Sequence, residues 1–192
     1  MDIDTLNERI AGAMISMSSA SVRLRLVTER DAPFIFRLRT DPDLNAHLSS
    51  SSNELERQAE WIRQYESRHS RNEEHYFIVE SDRESVGTIR MYDYRLSDCS
   101  FCWGSWIVQR GVRPSCALAS VLHLYDMGFR AAGFLSARFD VRKDNLSVLS
   151  FHRRVGAQEV SHDGPDVHFR VEREAYEKVV RPKLLSLHAK VS

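Results

Sequence analysis

The chain has 192 residues, 42% of them hydrophobic, and its 27 basic and 27 acidic residues give a formal net charge of zero. This length suits one domain with a sizeable core. The balanced charge does not favour nucleic acid or an anionic membrane as a partner. No apolar run approaches the roughly 18 residues of a membrane span. Three cysteines, an odd number, favour reduced thiols and a cytoplasmic location.

Residues 1–21 are expected to form an N-terminal extension, and residues 22–192 a single domain that includes a C-terminal helix. In the extension, Thr5 and Glu8 have the spacing of a capping box, which predicts a short helix. No chemistry is expected in this segment.

The first part of the domain mixes strands and helices. Residues 22–27 alternate apolar residues with arginine and predict a half-buried strand. A helix is predicted over residues 28–39, and Asn53 is expected to cap a longer amphipathic helix. Two further strands are predicted at residues 76–80 and 86–94.

The most informative stretch follows these strands. Residues 101–108 are dense in aromatic and β-branched residues and predict a buried strand. Gly111 and Pro114 then indicate a turn, and from Ser115 apolar residues recur with helical spacing. The free N–H groups and the dipole at such a helix start favour a bound phosphate.

The remaining elements complete the predicted sheet. A strand over residues 134–141 precedes a helix that starts at Asn145 and ends at Gly156. A hairpin of strands over residues 157–162 and 167–171 leads to a terminal helix. The order of elements predicts an α+β fold with a mostly antiparallel sheet of six or seven strands.

Two segments of this layout resemble the GNAT family of acyl-CoA-dependent N-acetyltransferases. Residues 103–129 are similar to the family's strand, turn and helix that bind the CoA pyrophosphate. Residues 141–157 resemble its block of Val, Asn, Tyr and Gly, with Asn145, His152 and Gly156 at the matching places. The resemblance implies a mixed sheet with splayed central strands, helices on both faces, and acetyl-CoA bound between those strands.

The resemblance also implies roles for individual residues. The N–H of a residue near Val108 would stabilise the oxyanion of the thioester carbonyl. His152, where many members have Tyr, would protonate the leaving thiolate, because an ordinary His titrates near neutral pH. Asp93, Asp98 and Tyr92 are candidate bases that no spacing separates, and Asp93 is taken as the catalytic one. The residues expected to bind acetyl-CoA are Ile107, Val108, Gly111, Arg113, Ser115, Cys116, Ala117 and Asn145.

Aromatic side chains on the predicted strands suit an acceptor that contains a sugar or a base. Tyr92, Trp103 and Trp106 are expected to bind it. Within the family, the chain looks similar to enzymes that act on nucleotide-linked amino sugars for surface polysaccharides, and to a Rim-type branch that acts on protein N-termini. Its neutral charge favours the amino sugar, a small-molecule amine. A homodimer stays an open alternative.

Two further alternatives come from other classes of protein. A non-catalytic acyl-CoA-binding protein would fit a loop that keeps only Gly111 of the family's usual glycines. A hydrolase would use Cys116, because a thiol at a helix N-terminus can become nucleophilic. Cys99 and Cys102 have the spacing of a metal or redox pair, but no second pair completes four ligands, so no metal is expected.

Overall fold

The strands of the described chain form one mixed sheet of seven. They are β1 (Val22–Leu26), β2 (His75–Ser81), β3 (Glu84–Arg95), β4 (Ser100–Val108), β5 (Ser136–Arg142), β6 (Gln158–Asp163) and β7 (Asp166–Glu172). The computed structural model describes residues 3–16, 21–44 and 55–191. The strand order is β1-β2-β3-β4-β5-β7-β6. Only the pair of β4 and β5 is parallel among the described strands.

Seven α-helices of the described chain pack around this sheet. They are α1 (Ile3–Ser16), α2 (Ala32–Thr40), α3 (Leu55–Ser70), α4 (Pro114–Tyr125), α5 (Leu146–Val155), α6 (Arg173–Ala175) and α7 (Arg181–Ala189). A 3-10 turn at Glu29–Asp31 precedes α2, and π-helical turns at Asp126–Ala131 and Tyr176–Val180 follow α4 and α6. The predicted α+β fold is therefore confirmed.

The ends of α5 follow the sequence closely. The Asn145 side chain accepts a hydrogen bond from the Val148 N–H, and Gly156 ends the helix in the left-handed conformation with φ of 102°. The sequence favours Ser115 as the N-cap of α4, but the helix begins two residues earlier. Arg113 is the N-cap and Pro114 the first helical residue, because proline lacks the N–H that this position cannot use. The cap expected at Asn53 lies outside the described residues.

Helices cover both faces of the sheet, as the resemblance implied. On one face, α1, α4, α5 and α7 enclose the larger core, with Val121, Leu149 and Leu184 buried. On the other, α2 and α3 bury Ile35 and Ile62 against the strands. We call these two sides the α4–α5 face and the α2–α3 face.

Residues expected to be an appendage pack into the larger core as α1. Leu6 and Ile10, four positions apart on one side of the helix, are 0% and 1% exposed. Both belong to the same cluster as the strand residues Val22 and Phe77. This helix therefore contributes to the hydrophobic core that supports the sheet.

The central strands β4 and β5 separate along their length. Their pairing covers only Ser100↔Ser136, Phe101↔Ala137 and Cys102↔Arg138. Beyond Cys102 the rest of β4 continues along β3, as in the pair Thr88↔Ile107, whereas β5 continues along β7. The resulting gap in the sheet is the splay that the resemblance implied.

Candidate active site

A cleft of about 630 Å³ lies at the gap between β4 and β5. Its walls come from both faces of the sheet. Trp103, Trp106, Phe139, Val148 and His152 line it toward α4 and α5, whereas α2, α3 and β3 contribute lining residues on the other face. A ligand in this cleft can therefore reach through the sheet from one face to the other.

His152 is a buried polar residue that lines the cleft on the α4–α5 face. Its ring lies 4.4 Å from that of Phe139 and 5.6 Å from that of Trp103, measured between centroids. The residue is 2% exposed, and Nδ1 has no hydrogen-bond partner among the described residues. Burial lowers the pKa of His152 to about 3, so the ordinary pKa expected from the sequence does not hold. At neutral pH the ring is an uncharged hydrogen-bonding group.

A bulge shapes the β4 wall of the cleft. The register with β3 shifts between the pairs Thr88↔Ile107 and Arg90↔Gly104. Ser105 lies in the bulge with φ of 49°, and its carbonyl accepts a 2.8 Å hydrogen bond from Thr88 Oγ1. A bulge of this kind turns a strand away from its neighbour.

After the bulge, the alternation of backbone groups along β4 determines which N–H is directed toward the gap. Gln109 N–H donates to Val86 O at 2.8 Å. Successive N–H groups of a strand point to opposite edges in an antiparallel ladder. The Val108 N–H is therefore directed away from β3, toward the gap where an oxyanion was expected.

The turn between β4 and α4 has the conformation that its sequence requires. Gly111 adopts φ of +80° in open space, a conformation that favours glycine. Arg113 extends to Asp82, with 2.6 Å between Nη2 and Oδ2. Ser115 and Cys116 are 5% and 1% exposed, so their side chains pack inward and leave the helix N-terminus to present backbone groups.

The α2–α3 face of the cleft is rich in arginine and aromatic side chains. The Arg90 guanidinium lies 4.2 Å from the ring centroid of Tyr92 and 5.6 Å from that of Trp61. Such stacking holds a cation in place on aromatic surface. Three more arginines of the described chain line this cleft: Arg39 on α2, Arg57 on α3 and Arg142 on β5.

Tyr92 crosses the cleft at a glycine of β4. A Cβ built on Gly104 would lie 3.3 Å from the Tyr92 hydroxyl, so the side chain passes directly over this residue. Desolvation, and secondarily the nearby thiol of Cys102, raise the pKa of Tyr92. The phenol is therefore neutral at physiological pH.

Two carboxylates line the cleft near Tyr92. Asp140 is on β5 and Asp166 begins β7. Desolvation, together with the charge of Asp166, raises the pKa of Asp140. Asp166 Oδ1 is 3.8 Å from Arg142 Nη1 and accepts no hydrogen bond from the described residues.

The structure brings five of the predicted site residues into the cleft lining: Tyr92, Trp103, Trp106, Asn145 and His152. Ile107 is buried in the core beside α2 and α3. Val108, Gly111, Arg113, Ser115, Cys116 and Ala117 follow in the strand end, turn and helix start. Asp93 is outside the cleft lining, and its carboxylate pairs with Arg95 and Arg138 at 2.9 and 3.1 Å.

Sequence reasoning noted Arg142 as a basic residue near the predicted phosphate site, but it missed the other three arginines that line this cleft and both of its carboxylates. Arg39, Arg57, Arg90 and Asp140 lie on four elements that only the tertiary fold brings together. One local signal existed for Asp140. In a strand of period two it shares a face with Arg138 and Arg142, opposite the buried Phe139 and Val141.

Two kinds of feature are absent from the described residues. No helix there is long and apolar enough to cross a membrane. No group of three or more His, Cys, Asp or Glu in that part of the chain is placed to hold a metal ion.

Comparisons with known proteins agree on the fold. A family model described as an acetyltransferase (GNAT) domain matches residues 21–158. The structure of apo FdhC, a nucleotide-linked sugar GNAT, is 38% identical to this chain and superposes on it with a TM-score of 0.77. The match covers 88% of this chain and 94% of the FdhC chain. No curated protein sequence matches significantly.

Two more distant structures share the fold. Mycobacterium smegmatis RimJ in complex with CoA-disulfide is 18% identical, with coverage of 86% of this chain and 88% of that one and a TM-score of 0.72. Vibrio cholerae spermidine N-acetyltransferase in complex with CoA and spermine is 15% identical, with coverage of 83% of this chain and 100% of that one and a TM-score of 0.70.

Proposed function

Because the chain belongs to the GNAT acetyltransferase family, we propose that it transfers the acetyl group of acetyl-CoA to the primary amine of a nucleotide-linked amino sugar. The observation that carries the choice of acceptor is the set of arginine and aromatic side chains on the α2–α3 face of the cleft. The similarity of the chain to a nucleotide-linked sugar GNAT, at 38% identity, supports the same choice of acceptor.

The charge of the cleft suits a diphosphate. Arg39, Arg57, Arg90 and Arg142 place four cations around it, and guanidinium groups bind phosphate oxygens with two parallel hydrogen bonds. Trp61 and Tyr92 add aromatic surface for a base or a sugar ring. A polyamine acceptor is itself cationic, so the same arginines disfavour it.

The α4–α5 face fits acetyl-CoA, which supplies the acetyl group as a thioester when bound. His152 Nδ1 is a buried polar atom that no described residue satisfies, and such an atom costs free energy until a ligand satisfies it. The Val108 N–H faces the gap and is available to stabilise an oxyanion. His152 acts on this proposal as a neutral hydrogen-bonding group beside the reacting atoms, with Trp103 and Phe139 excluding water.

The alternatives are weakened by specific observations. The hydrolase needs a reactive Cys116, but this residue is 1% exposed within the larger core. A Rim-type acceptor is a peptide amine, for which the four arginines have no evident partner. RimJ itself, at 18% identity, supports only the fold.

The proposed acceptor class can be tested by measuring CoA release from acetyl-CoA with matched amines. UDP-glucosamine is compared with glucosamine, a short peptide and spermidine. We expect kcat/KM for UDP-glucosamine to exceed that for glucosamine by at least about tenfold, since one arginine–phosphate interaction contributes more than about 1.4 kcal/mol. A preference for the peptide or for spermidine would overturn the proposal.

A pair of arginines on α3 provides a sharper version of this test. Arg57 lines the cleft, whereas Arg63, further along the same helix, pairs with Glu29 and Glu60 outside the cleft lining. We expect Arg57→Gln to raise KM for UDP-glucosamine by about tenfold or more with KM for acetyl-CoA unchanged. Arg63→Gln is the control, and equal effects of the two variants would contradict the assignment.

A further inference from the structure

We propose that Asp140 is the catalytic base that accepts the proton of the acceptor amine. The inference rests on the proposed function, because it assumes that an amine is the acceptor. It replaces Asp93, whose carboxylate is held by two arginines outside the cleft lining.

The position of Asp140 follows from the register of the central strands. Arg138 is the last residue of β5 that pairs with β4. In a strand, side chains two positions apart lie on the same face, so Asp140 is the first residue past the junction on the side of Arg138. Phe139, between them, faces the opposite core, where it contacts His152. The carboxylate therefore lies where the gap opens, on the face that carries the arginines.

Asp140 lines the cleft as a solvent-accessible carboxylate with two polar side chains close to it. It is close enough to the Tyr92 hydroxyl and the Cys102 thiol for its charge to raise the pKa of both. Cys102 forms the last pair between β4 and β5. An amine that reaches the thioester through the gap must pass this group of side chains.

The other titratable groups of the described cleft lining are unsuitable as bases at neutral pH. Its arginines are protonated, and the phenols of Tyr76 and Tyr92 are neutral because burial raises their pKa. His152 is on the α4–α5 face, and a pKa of about 3 makes it a weak base. Asp140 and Asp166 remain, and Asp166 is next to the guanidinium of Arg142.

The environment of Asp140 favours this role. Desolvation and then Asp166 raise its pKa, while His168, its partner in the β5–β7 ladder, acts in the opposite direction. A base works best when its pKa approaches the working pH, so this shift strengthens the carboxylate as a proton acceptor. Among the described residues, the charged or titratable groups that are coupled to Asp140 or share its face of β5 are Tyr92 on β3, Cys102 on β4, Arg138 and Arg142 on β5, and Asp166 and His168 on β7.

The acceptor amine binds as its ammonium form and gives one proton to a carboxylate oxygen of Asp140. The neutral nitrogen then forms a bond to the acetyl carbon and loses a second proton. The bond between the acetyl carbon and sulfur breaks, and the electron pair leaves on sulfur as a thiolate. Asp140 then returns its proton to solvent, and the thiolate takes one up.

The variant Asp140→Asn tests this assignment through the pH dependence of turnover. Without the base, only amine that is already neutral can react, and this fraction rises about tenfold per pH unit below the amine pKa. We expect kcat/KM of the variant to fall by about 10²-fold or more at neutral pH and to recover at alkaline pH. A merely structural role would give a loss that pH does not restore.

Two controls separate folding from chemistry. Asp163→Asn changes an exposed aspartate at the β6–β7 turn, outside the cleft lining, and is expected to leave kcat/KM unchanged. Calorimetric titration with acetyl-CoA should give the same Kd for Asp140→Asn as for the wild type. If Asp93→Asn shows the alkaline recovery and Asp140→Asn does not, the assignment is overturned.

The probes distinguish this inference from the proposed acceptor. Both UDP-glucosamine and glycinamide are assayed. If the wild type acetylates glycinamide but not UDP-glucosamine, and Asp140→Asn loses the activity on glycinamide, the result supports Asp140 as the base and rejects the proposed acceptor. Full activity of Asp140→Asn on UDP-glucosamine overturns the base and leaves the acceptor intact. If neither probe reacts, carbon NMR of the wild type decides: an Asp140 carboxyl that titrates like a free aspartate and does not shift with either amine contradicts the assignment.

Discussion

Phe101 leaves no room for a side chain at position 128. A Cβ built on Gly128 would lie 2.5 Å from two atoms of the Phe101 ring, and that ring is buried against Phe129 and Phe134. We expect Gly128→Ala to destabilise the protein by about 1–3 kcal/mol, because the overpacked ring must move. Urea unfolding measures the change.

A second glycine provides the control for this substitution. Gly12, in the interior of α1, is exposed and has no atom within 4 Å of a Cβ built on it. Gly12→Ala should therefore stabilise the protein by up to about 1 kcal/mol through helix propensity alone. Equal losses for the two variants would show that packing at Phe101 is not the cause.

Two residues of the cleft show what the sequence could and could not predict about the site. His152 was identified from its place in a motif, and the structure puts it in the cleft lining. Its protonation was not predictable, because the shift comes from burial by rings on β4, β5 and β7. Arg90 was missed for a related reason. Its guanidinium stacks on Tyr92, two residues along β3, and also on Trp61 of α3, which is distant in sequence and is brought near only by the fold.

At the scale of elements, α1 has the clearest test. Leu6 is fully buried, whereas Ile15 on the same helix is 73% exposed. We expect Leu6→Ala to lower the free energy of unfolding by about 2–5 kcal/mol. Ile15→Ala should change it by less than about 0.5 kcal/mol. Thermal unfolding of both variants decides whether the helix is docked, and two equally small effects would argue that it is not.

The ends of an element could be predicted from the sequence where residues at those ends mark them. Asn145 and Gly156 mark the ends of α5 through capping chemistry that acts within a few residues. The π-helical turn at Asp126–Ala131 has no such signal, since Gly128 there fits against a ring from β4. The position of the bulge at Ser105 likewise depends on Thr88 of the neighbouring strand.

At the scale of the whole molecule, two buried histidines couple folding to pH. Burial lowers the pKa of both His75 and His152 to about 3, below the value of about 6.5 in an unfolded chain. Below about pH 6.5 the unfolded state therefore binds more protons. The contribution of these two histidines to the free energy of unfolding is complete above that pH and is lost progressively as the pH drops toward 3. Each histidine should cost about 2 kcal/mol between about pH 7 and pH 5.

The variant His152→Phe isolates one of these contributions. Because it keeps a ring in the aromatic cluster and removes one titrating group, its loss of stability over the same pH range should be smaller by about 2 kcal/mol. His162→Asn, at a side chain 54% exposed, is the control. Urea unfolding at the two pH values gives the comparison, and an unchanged pH dependence in His152→Phe would contradict burial as the cause.

The gap between β4 and β5 also bears on kinetics. The cleft has walls on both faces of the sheet, so under the proposed function the two reactants would approach from opposite sides, and neither would block the path of the other. Such a passage imposes no order of binding and needs no acetylated enzyme between half-reactions. Initial rates plotted as double reciprocals should give lines that intersect, and each product alone should inhibit competitively against the reactant that shares its side.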